Sequence, residues 1–168
     1  MQNIIYIHGL ESSGKAFKGQ NLKRWIPECL TPDFETYNPS IPIKSLLKIR
    51  MEQLYSILME KSPWIIIGSS FGGLMAVLFT SQNPHNVSKL ILLAPYLSST
   101  RLNPKIHSKL KIPVIVYHGK HDKVVSANQS KIVAEKIFSN LKYNIVDDDH
   151  SLHTTFLTLD WKNLIKIN

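Results

Sequence analysis

Short apolar runs rich in isoleucine, valine and leucine recur along the chain, and each is bounded by polar or turn-forming residues. Runs of this length and composition are typical of strands that are buried on both faces of a parallel sheet. The pattern predicts strands at residues 3–7, 29–31, 64–67, 89–93, 114–117 and 143–146.

The segments between these runs carry apolar residues at helical spacing. The clearest covers residues 43–59, with apolar side chains at positions 46, 47, 51, 54, 57 and 58. Further helices are predicted at residues 74–82, 127–138 and 154–167. Strands that alternate with helices indicate an α/β fold. We expect a three-layer α/β/α sandwich built on a mostly parallel sheet of about six strands.

Length and composition limit the class of protein. A chain of 168 residues that is 43% hydrophobic fits one globular domain over residues 1–168, since no repeat or biased segment divides it. The apolar run at residues 4–7 is too short for a signal sequence, and no segment approaches 18 apolar residues in a row. We therefore expect a soluble, cytoplasmic protein that does not insert into a membrane, and the oligomeric state stays open. The single cysteine, Cys29, is interpreted as a packing residue.

The formal net charge of +8 could indicate binding to nucleic acid or to an anionic membrane. The basic residues are scattered, however, with a modest concentration at Arg101, Lys105, Lys109 and Lys111 that could form one face of a helix. A solvated basic surface is the favoured interpretation, and no nucleic-acid partner is predicted.

The pentapeptide Gly68-Ser69-Ser70-Phe71-Gly72 lies where an apolar strand is predicted to turn into a helix. A serine on such a tight turn has its hydroxyl pushed away from the backbone, and the flanking glycines let strand and helix pass closely. Ser70 is therefore the candidate nucleophile.

A serine nucleophile needs a histidine to take its proton and a carboxylate to orient that histidine. Asp122 follows the strand predicted at residues 114–117, and His150 follows the last predicted strand. Both therefore lie at the carboxyl edge of the sheet, where open α/β sheets place their sites. His153 is the alternative base.

The order Ser70, Asp122, His150 is the order used by α/β-hydrolases. With this order, and with its opening Tyr6-Ile7-His8-Gly9-Leu10-Glu11-Ser12-Ser13, the chain resembles the small lidless bacterial esterases of the YqiA-like group in that superfamily. The resemblance implies a minimal α/β-hydrolase fold without a cap domain, in which Ser70 is the nucleophile, Asp122 the acid and His150 the base. Residues 95–112 leave room for a loop and one helix only, so an open site is expected.

Acyl transfer also needs two backbone N–H donors for the oxyanion. The residue after the nucleophile, Phe71, is expected to supply one, and Leu10 in the loop after the His-Gly pair the other, with Glu11 as the fallback. The substrate pocket is predicted to be walled by Leu10, Phe71, Tyr96, Leu97, Val125 and Leu152.

These features predict a serine hydrolase that cleaves carboxylic esters, with thioesters as a second class of substrate, and a small-molecule ester as the partner. The same residues could cleave amides or carbon–carbon bonds, and an inactive binding protein with this fold is the alternative of a different class. No cofactor or metal is predicted: Asp147-Asp148-Asp149 is interpreted as a polar turn, and His118 with His121 is too weak a pair for a ligand set. His8 is expected to hydrogen-bond within the oxyanion loop.

Overall fold

The computed structural model describes residues 2–99 and 109–166, and these residues form a parallel sheet of five strands. The strands stand side by side in chain order and each pairs in parallel with the next. They are β1 (Asn3–Ile7), β2 (Trp64–Ser69), β3 (Val87–Leu93), β4 (Val114–Gly119) and β5 (Leu141–Val146). The carboxyl ends of all five strands therefore meet along one edge, as predicted for the candidate site.

The inner strand β2 shows why continuous apolar runs become strands here. All six of its residues are buried, because it pairs with β1 on one side and β3 on the other while helices cover both faces. A strand in this position needs apolar side chains on both faces, which removes the polar alternation of a half-exposed strand.

Helices cover the two faces of the sheet, and the sheet separates two hydrophobic cores. Successive residues of β1 alternate between the two cores, with Ile5 and Ile7 in one and Ile4 and Tyr6 in the other. The first core includes residues of α2 (Ile43–Leu58), α3 (Phe71–Gln82) and α4 (Ala127–Ile137). The second includes residues of α1 (Phe17–Trp25), α5 (His153–Thr158) and α6 (Trp161–Leu164). The fold is thus the predicted α/β/α sandwich.

Two local predictions differ from the structure, and one helix has no counterpart among the predicted elements. Segment 29–31 contributes only a single bridge at Leu30 to the outer side of β1, because the nearby Pro27 and Pro32 fix their own backbone and lack N–H donors. The helix predicted at 154–167 is two short helices, since the backbone is extended at Leu159 and the Asp160 side chain caps a new start by accepting the Asn163 N–H. Helix α1 was not predicted, because Gly19 and Leu22 are its only buried residues and give no helical stripe.

The predicted basic face is only partly described. Arg101 and Lys105 lie outside the described residues, as does the last residue of the predicted helix 154–167. Over residues 2–99 and 109–166, no helix is both long and apolar enough to span a bilayer.

Candidate active site

Ser70 occupies the turn between β2 and α3 in a backbone conformation that side chains rarely adopt. Its φ of 52° and ψ of −114° lie in the positive-φ region, which costs a non-glycine residue roughly 1–3 kcal/mol. The turn is held by hydrogen bonds, since the Ser70 N–H donates to the Leu93 carbonyl at 2.9 Å and the Ser70 carbonyl accepts the Tyr96 N–H at 3.1 Å. Strain of this kind at a strand-to-helix turn is the geometry of a nucleophile elbow.

A glycine beside the elbow lets two backbones approach. A Cβ at Gly72 would collide with the carbonyl oxygen of Ile7 and would lie 2.6 Å from that of His8, both in the chain leaving β1. Only a residue without a side chain allows α3 to start this close to the loop after β1. Ser70 and the candidate oxyanion loop are brought together in this way.

Asp122 lies in the loop after β4 with its carboxylate wholly buried and fully hydrogen-bonded. Its Oδ1 accepts the N–H groups of Val124 and Val125 at 2.8 Å each. Burial by itself raises the pKa of this carboxyl. The Val125 N–H, the His150 ring and the Val124 N–H together lower the pKa by more than burial raises it, so that the pKa lies below the ordinary 3.8. Asp122 is therefore ionised at neutral pH.

His150, in the turn after β5, joins Asp122 to Ser70. Its Nδ1 lies 2.7 Å from Asp122 Oδ2 and its Nε2 lies 3.0 Å from Ser70 Oγ. Because the ionised carboxylate can only accept, the network assigns the proton to Nδ1 and leaves Nε2 to accept from the Ser70 hydroxyl. This is the arrangement a general base needs before it takes a proton.

A glycine also allows the loops that carry Asp122 and His150 to meet. A Cβ at Gly119 would collide with the carbonyl oxygen of Asp149 and would lie 2.5 Å from that of Asp148. The two loops are tied by hydrogen bonds, among them the His121 N–H to the Asp148 carbonyl at 3.0 Å. The short contact between Asp122 and His150 depends on this close approach.

Behind Asp122 lies a second histidine, for which the sequence predicts neither a metal-binding nor a catalytic role. His118 is buried in β4, and its Nε2 lies 3.0 Å from Asp122 Oδ2 and 3.1 Å from the Val125 carbonyl oxygen. Since both of these groups accept, Nε2 carries the proton, and Nδ1 accepts from the Tyr143 hydroxyl at 2.8 Å. Burial lowers the pKa of His118, which keeps the ring neutral. A histidine inside an otherwise apolar strand was the available signal for this contact.

The alternative base, His153, lies elsewhere. It is the first residue of α5, is exposed, and packs its ring on Phe17 with the ring centroids 4.2 Å apart. The acidic residues before His150 make a polar turn: Asp148 accepts the Thr155 N–H, and Asp149 accepts the Ser151 N–H. The described residues hold no cluster of three or more His, Cys, Asp or Glu side chains that could bind a metal ion.

An open cavity of about 600 Å³ lies over Ser70 and His150. Of the predicted wall residues, Leu10, Phe71, Tyr96 and Val125 line it. Two predictions are wrong: Leu97 and Leu152 are fully buried in the two cores and do not line the cavity. The cavity is also lined by residues that were not predicted as its walls, namely Gly9, Glu11, Lys18, Ile43, Ser69, Val124 and Ser151. Ile43 and Lys18 come from helices on opposite faces of the sheet, so no single stretch of sequence indicates them.

Lys18 reaches into this cavity from α1. Its Nζ donates to the Ser151 carbonyl at 2.5 Å, next to His150. Burial lowers the pKa of Lys18 to about 8, against the opposing effect of Asp148 and Asp149. The side chain thus remains largely charged at neutral pH and ties α1 to the turn that carries His150.

The loop after β1 contains the candidate oxyanion donor Leu10. His8 is buried at its base, and its Nε2 accepts the Phe34 N–H at 3.0 Å. The ring proton is therefore on Nδ1, which donates to the Gly9 carbonyl at 2.8 Å. His8 makes the hydrogen bond within the oxyanion loop that the sequence analysis expected.

Comparisons with known proteins agree with this architecture. Alpha/beta hydrolase domain-containing protein 10 from mouse is 19% identical, with a TM-score of 0.73 over 94% of this chain and 87% of that one. Est1E from Butyrivibrio proteoclasticus, solved with ferulic acid bound, is 14% identical, with a TM-score of 0.74 over 94% and 84%. Esterase Pf2001 from Pyrococcus furiosus is 18% identical, with a TM-score of 0.69 over 96% and 79%.

At the level of sequence, no curated protein matches the chain. The model of a family described as "Uncharacterised protein family (UPF0227)" matches residues 3–111, which is more than half of the chain. The chain therefore has the α/β-hydrolase fold and belongs to protein family UPF0227, the YqiA-like group that its opening residues resemble.

Proposed function

We propose that the protein is a serine hydrolase that cleaves carboxylic esters through an acyl-enzyme intermediate on Ser70. The observation that carries the proposal is the continuous hydrogen-bonded chain from Asp122 through His150 to the Ser70 hydroxyl, at the floor of an open cavity. Nucleophilic acyl transfer requires a serine hydroxyl, an imidazole nitrogen that accepts its hydrogen bond, and an ionised carboxylate behind the imidazole.

In the proposed first step, Ser70 Oγ attacks the ester carbonyl carbon while His150 Nε2 takes the hydroxyl proton. Asp122 stabilises the resulting imidazolium through its hydrogen bond to Nδ1. The tetrahedral intermediate then expels the alcohol, which receives the proton from His150, and the acyl group remains on Ser70. Water attacks the acyl-enzyme in the same way, releases the carboxylic acid and returns the proton to Ser70.

The negative charge that develops on the carbonyl oxygen needs donors fixed in advance. The backbone N–H groups of Leu10 and Phe71 fill this role in our proposal. Both residues line the cavity beside Ser70, and neither N–H donates to an acceptor in the described part of the chain. Glu11, the fallback donor, lines the same cavity.

The walls of the cavity favour a substrate with an apolar acyl or aryl group that is presented at the surface. Ile43, Tyr96 and Val124 line the cavity and are also exposed large hydrophobic side chains. Exposed apolar surface of this kind gains free energy when a ligand covers it. Esters and thioesters of small acids fit this description, and the similar structures described as esterases support the same class of substrate.

The experiment that tests the proposal is labelling with a fluorophosphonate probe, followed by mass spectrometry of the modified peptide. In the labelling reaction Ser70 Oγ bonds to phosphorus and fluoride leaves. We expect an adduct on Ser70 in the wild-type protein and none in Ser70→Ala. Ser151→Ala is the matched control, because Ser151 lines the same cavity but its hydroxyl donates to Asp149 and not to His150, and it should label like the wild type.

A folded wild-type protein that takes no probe would overturn the proposal and favour an inactive binding protein. After labelling, matched ester, thioester and amide substrates separate the possible leaving groups by their kcat/KM values. The ester should be turned over fastest. Turnover of the amide alone would contradict the assigned substrate class.

A further inference from the structure

Arg50 is a charged residue that is buried on the core-facing side of α2. It lies on α2 between Leu47 and Leu54, and its relative exposure is 0%. An arginine this deeply buried is costly unless its donors are satisfied. The described hydrogen bonds of its guanidinium all go to backbone carbonyls: Glu35 at 2.7 Å, Leu10 at 2.8 Å and Gly9 at 3.2 Å.

Two of these carbonyls belong to the loop that would form half of the oxyanion hole. In a planar trans peptide the C=O and the N–H point in opposite directions. Because the Gly9 carbonyl is turned towards Arg50 Nη1 and His8 Nδ1, the N–H of the same peptide, that of Leu10, is turned away from them. Arg50 shares the Gly9 carbonyl with His8 and is bonded to the Leu10 carbonyl as well, so it holds the peptides on both sides of Leu10.

Arg50 also contacts the other half of the oxyanion hole. Its guanidinium carbon lies 5.6 Å from the centroid of the Phe71 ring, a cation–π distance. Phe71 follows Ser70 and supplies the second candidate N–H. One buried side chain therefore contacts both residues that are proposed to supply the oxyanion donors.

We propose that Arg50 is a positioning residue that fixes the oxyanion hole by orienting the Gly9–Leu10 peptide and by packing on Phe71. The role rests on the proposed hydrolase function and deepens it, since Arg50 would touch neither substrate nor Ser70. A lysine cannot replace it. The planar fork of a guanidinium spans three carbonyls at once, whereas an ammonium is a single point on a flexible stem.

The test compares wild type with Arg50→Lys and Arg50→Gln on a short-chain aryl ester and on an aryl trifluoromethyl ketone. Ser70 adds reversibly to this ketone and gives a hemiketal whose oxyanion occupies the same hole as the reaction intermediate. We expect kcat to fall roughly 10- to 100-fold while KM stays within about threefold, since donor alignment acts only on the transition state. The affinity for the ketone should fall by the same factor as kcat. Arg24→Lys, on the exposed side of α1, is the matched control and should change neither value.

A merely structural role gives a different result. If Arg50→Lys unfolds at lower temperature but its folded molecules keep the wild-type kcat and ketone affinity, the proposal is overturned. A change confined to KM overturns it as well. Failure of the proposed function is distinct, because the wild-type protein would then neither turn over the ester nor bind the ketone.

A second measurement covers the case in which neither variant folds. In ¹⁵N-labelled wild-type protein, formation of the ketone adduct should shift the amide signals of Leu10 and Phe71 together with the Nε–H signal of Arg50. The Nε–H signal of Arg24 serves as the internal reference and should not move. Leu10 and Arg50 signals that stay in place on adduct formation would refute the positioning role.

Discussion

Asp122→Asn replaces one carboxylate oxygen by an NH₂ group and so tests the assigned tautomers of His150 and His118 together. The four contacts of this carboxylate all come from donors: Oδ1 accepts the Val124 and Val125 N–H groups, and Oδ2 accepts from His150 and His118. Asparagine has one acceptor oxygen in place of two. If that oxygen keeps both backbone bonds, the new amide nitrogen faces the two imidazole rings with its own protons.

Both histidines must then change tautomer. His150 would carry its proton on Nε2 and could no longer accept the Ser70 proton. From serine hydrolases with the same arrangement, the expected loss in kcat is about 10⁴-fold, or about 5.5 kcal/mol of transition-state stabilisation. His118 Nε2 would become an acceptor facing the Val125 carbonyl 3.1 Å away, and losing that buried hydrogen bond should cost about 1–3 kcal/mol of unfolding free energy.

The assays are steady-state hydrolysis of a short-chain aryl ester and denaturant unfolding at several pH values. Asp147→Asn is the matched control, because Asp147 is exposed on the neighbouring turn and bonds to His121. It should keep kcat within about twofold, as a surface change does. An Asp122→Asn protein with kcat within about tenfold of wild type would refute the assigned tautomer and the role of Asp122.

The pH dependence of unfolding gives an independent check. The pKa of Asp122 is lower in the folded protein than the ordinary 3.8, so the unfolded chain binds its proton first as the pH falls. The stabilisation by this carboxylate is therefore complete above pH 3.8 and is lost as the pH falls through the folded pKa. We expect the difference in unfolding free energy between wild type and Asp122→Asn to shrink below pH 3.8, and a constant difference would contradict the reasoning.

Three further predictions concern the packing around the site. Gly119→Ala places a methyl group against carbonyls of the turn that carries His150, so kcat should fall roughly 100-fold. In the control Gly9→Ala, the new Cβ meets its neighbours at 3.6 Å and the fold should be retained. Equal kcat in wild type and Gly119→Ala would contradict this prediction. Phe156→Ala removes the buried side chain of α5 and should lower the unfolding free energy measured in denaturant by about 3–5 kcal/mol. A loss below about 1 kcal/mol would contradict this and show that the core collapses to fill the space. The pKa of Lys18 is about 8 in the folded protein and 10.5 ordinarily, so the unfolded chain binds more protons between pH 8 and pH 10.5. The unfolding free energy of wild type relative to Lys18→Met should therefore rise from pH 8 to 10.5. A difference that does not change with pH would refute the burial of the Lys18 ammonium group.

The sheet and the three principal site residues could be predicted from the sequence because each depends on local pattern and on one topological rule. An apolar run such as residues 64–67 is typical of a strand that is buried on both faces of a parallel sheet. The carboxyl ends of parallel strands share an edge, so Ser70, Asp122 and His150 had to lie on the same side of the molecule. The distance between Nε2 and Oγ required the structure.

The walls of the cavity could not be predicted in the same way. Leu97 and Leu152 follow the right strands, but the direction of a side chain in a loop depends on the backbone dihedrals of each residue, and both point into the cores. Ile43 and Lys18 reach the cavity only because their helices pack on opposite faces of the sheet. Contacts between distant segments leave little trace in the sequence of either segment.

Local sequence is enough to predict the layers of the fold, the elbow and the order of the catalytic candidates, because hydrophobic period and turn chemistry act over a few neighbouring residues. The role of the buried polar residues depends on tertiary contacts. Arg50 falls on the apolar stripe of α2 and His118 within the apolar strand β4, and both positions signal burial without naming a partner. The partners of Arg50 are carbonyls from loops far away in the chain, and those of His118 are groups of the loop after its own strand and a hydroxyl of β5. A buried polar group must find its hydrogen bonds wherever the fold brings them, and no local pattern specifies where that is.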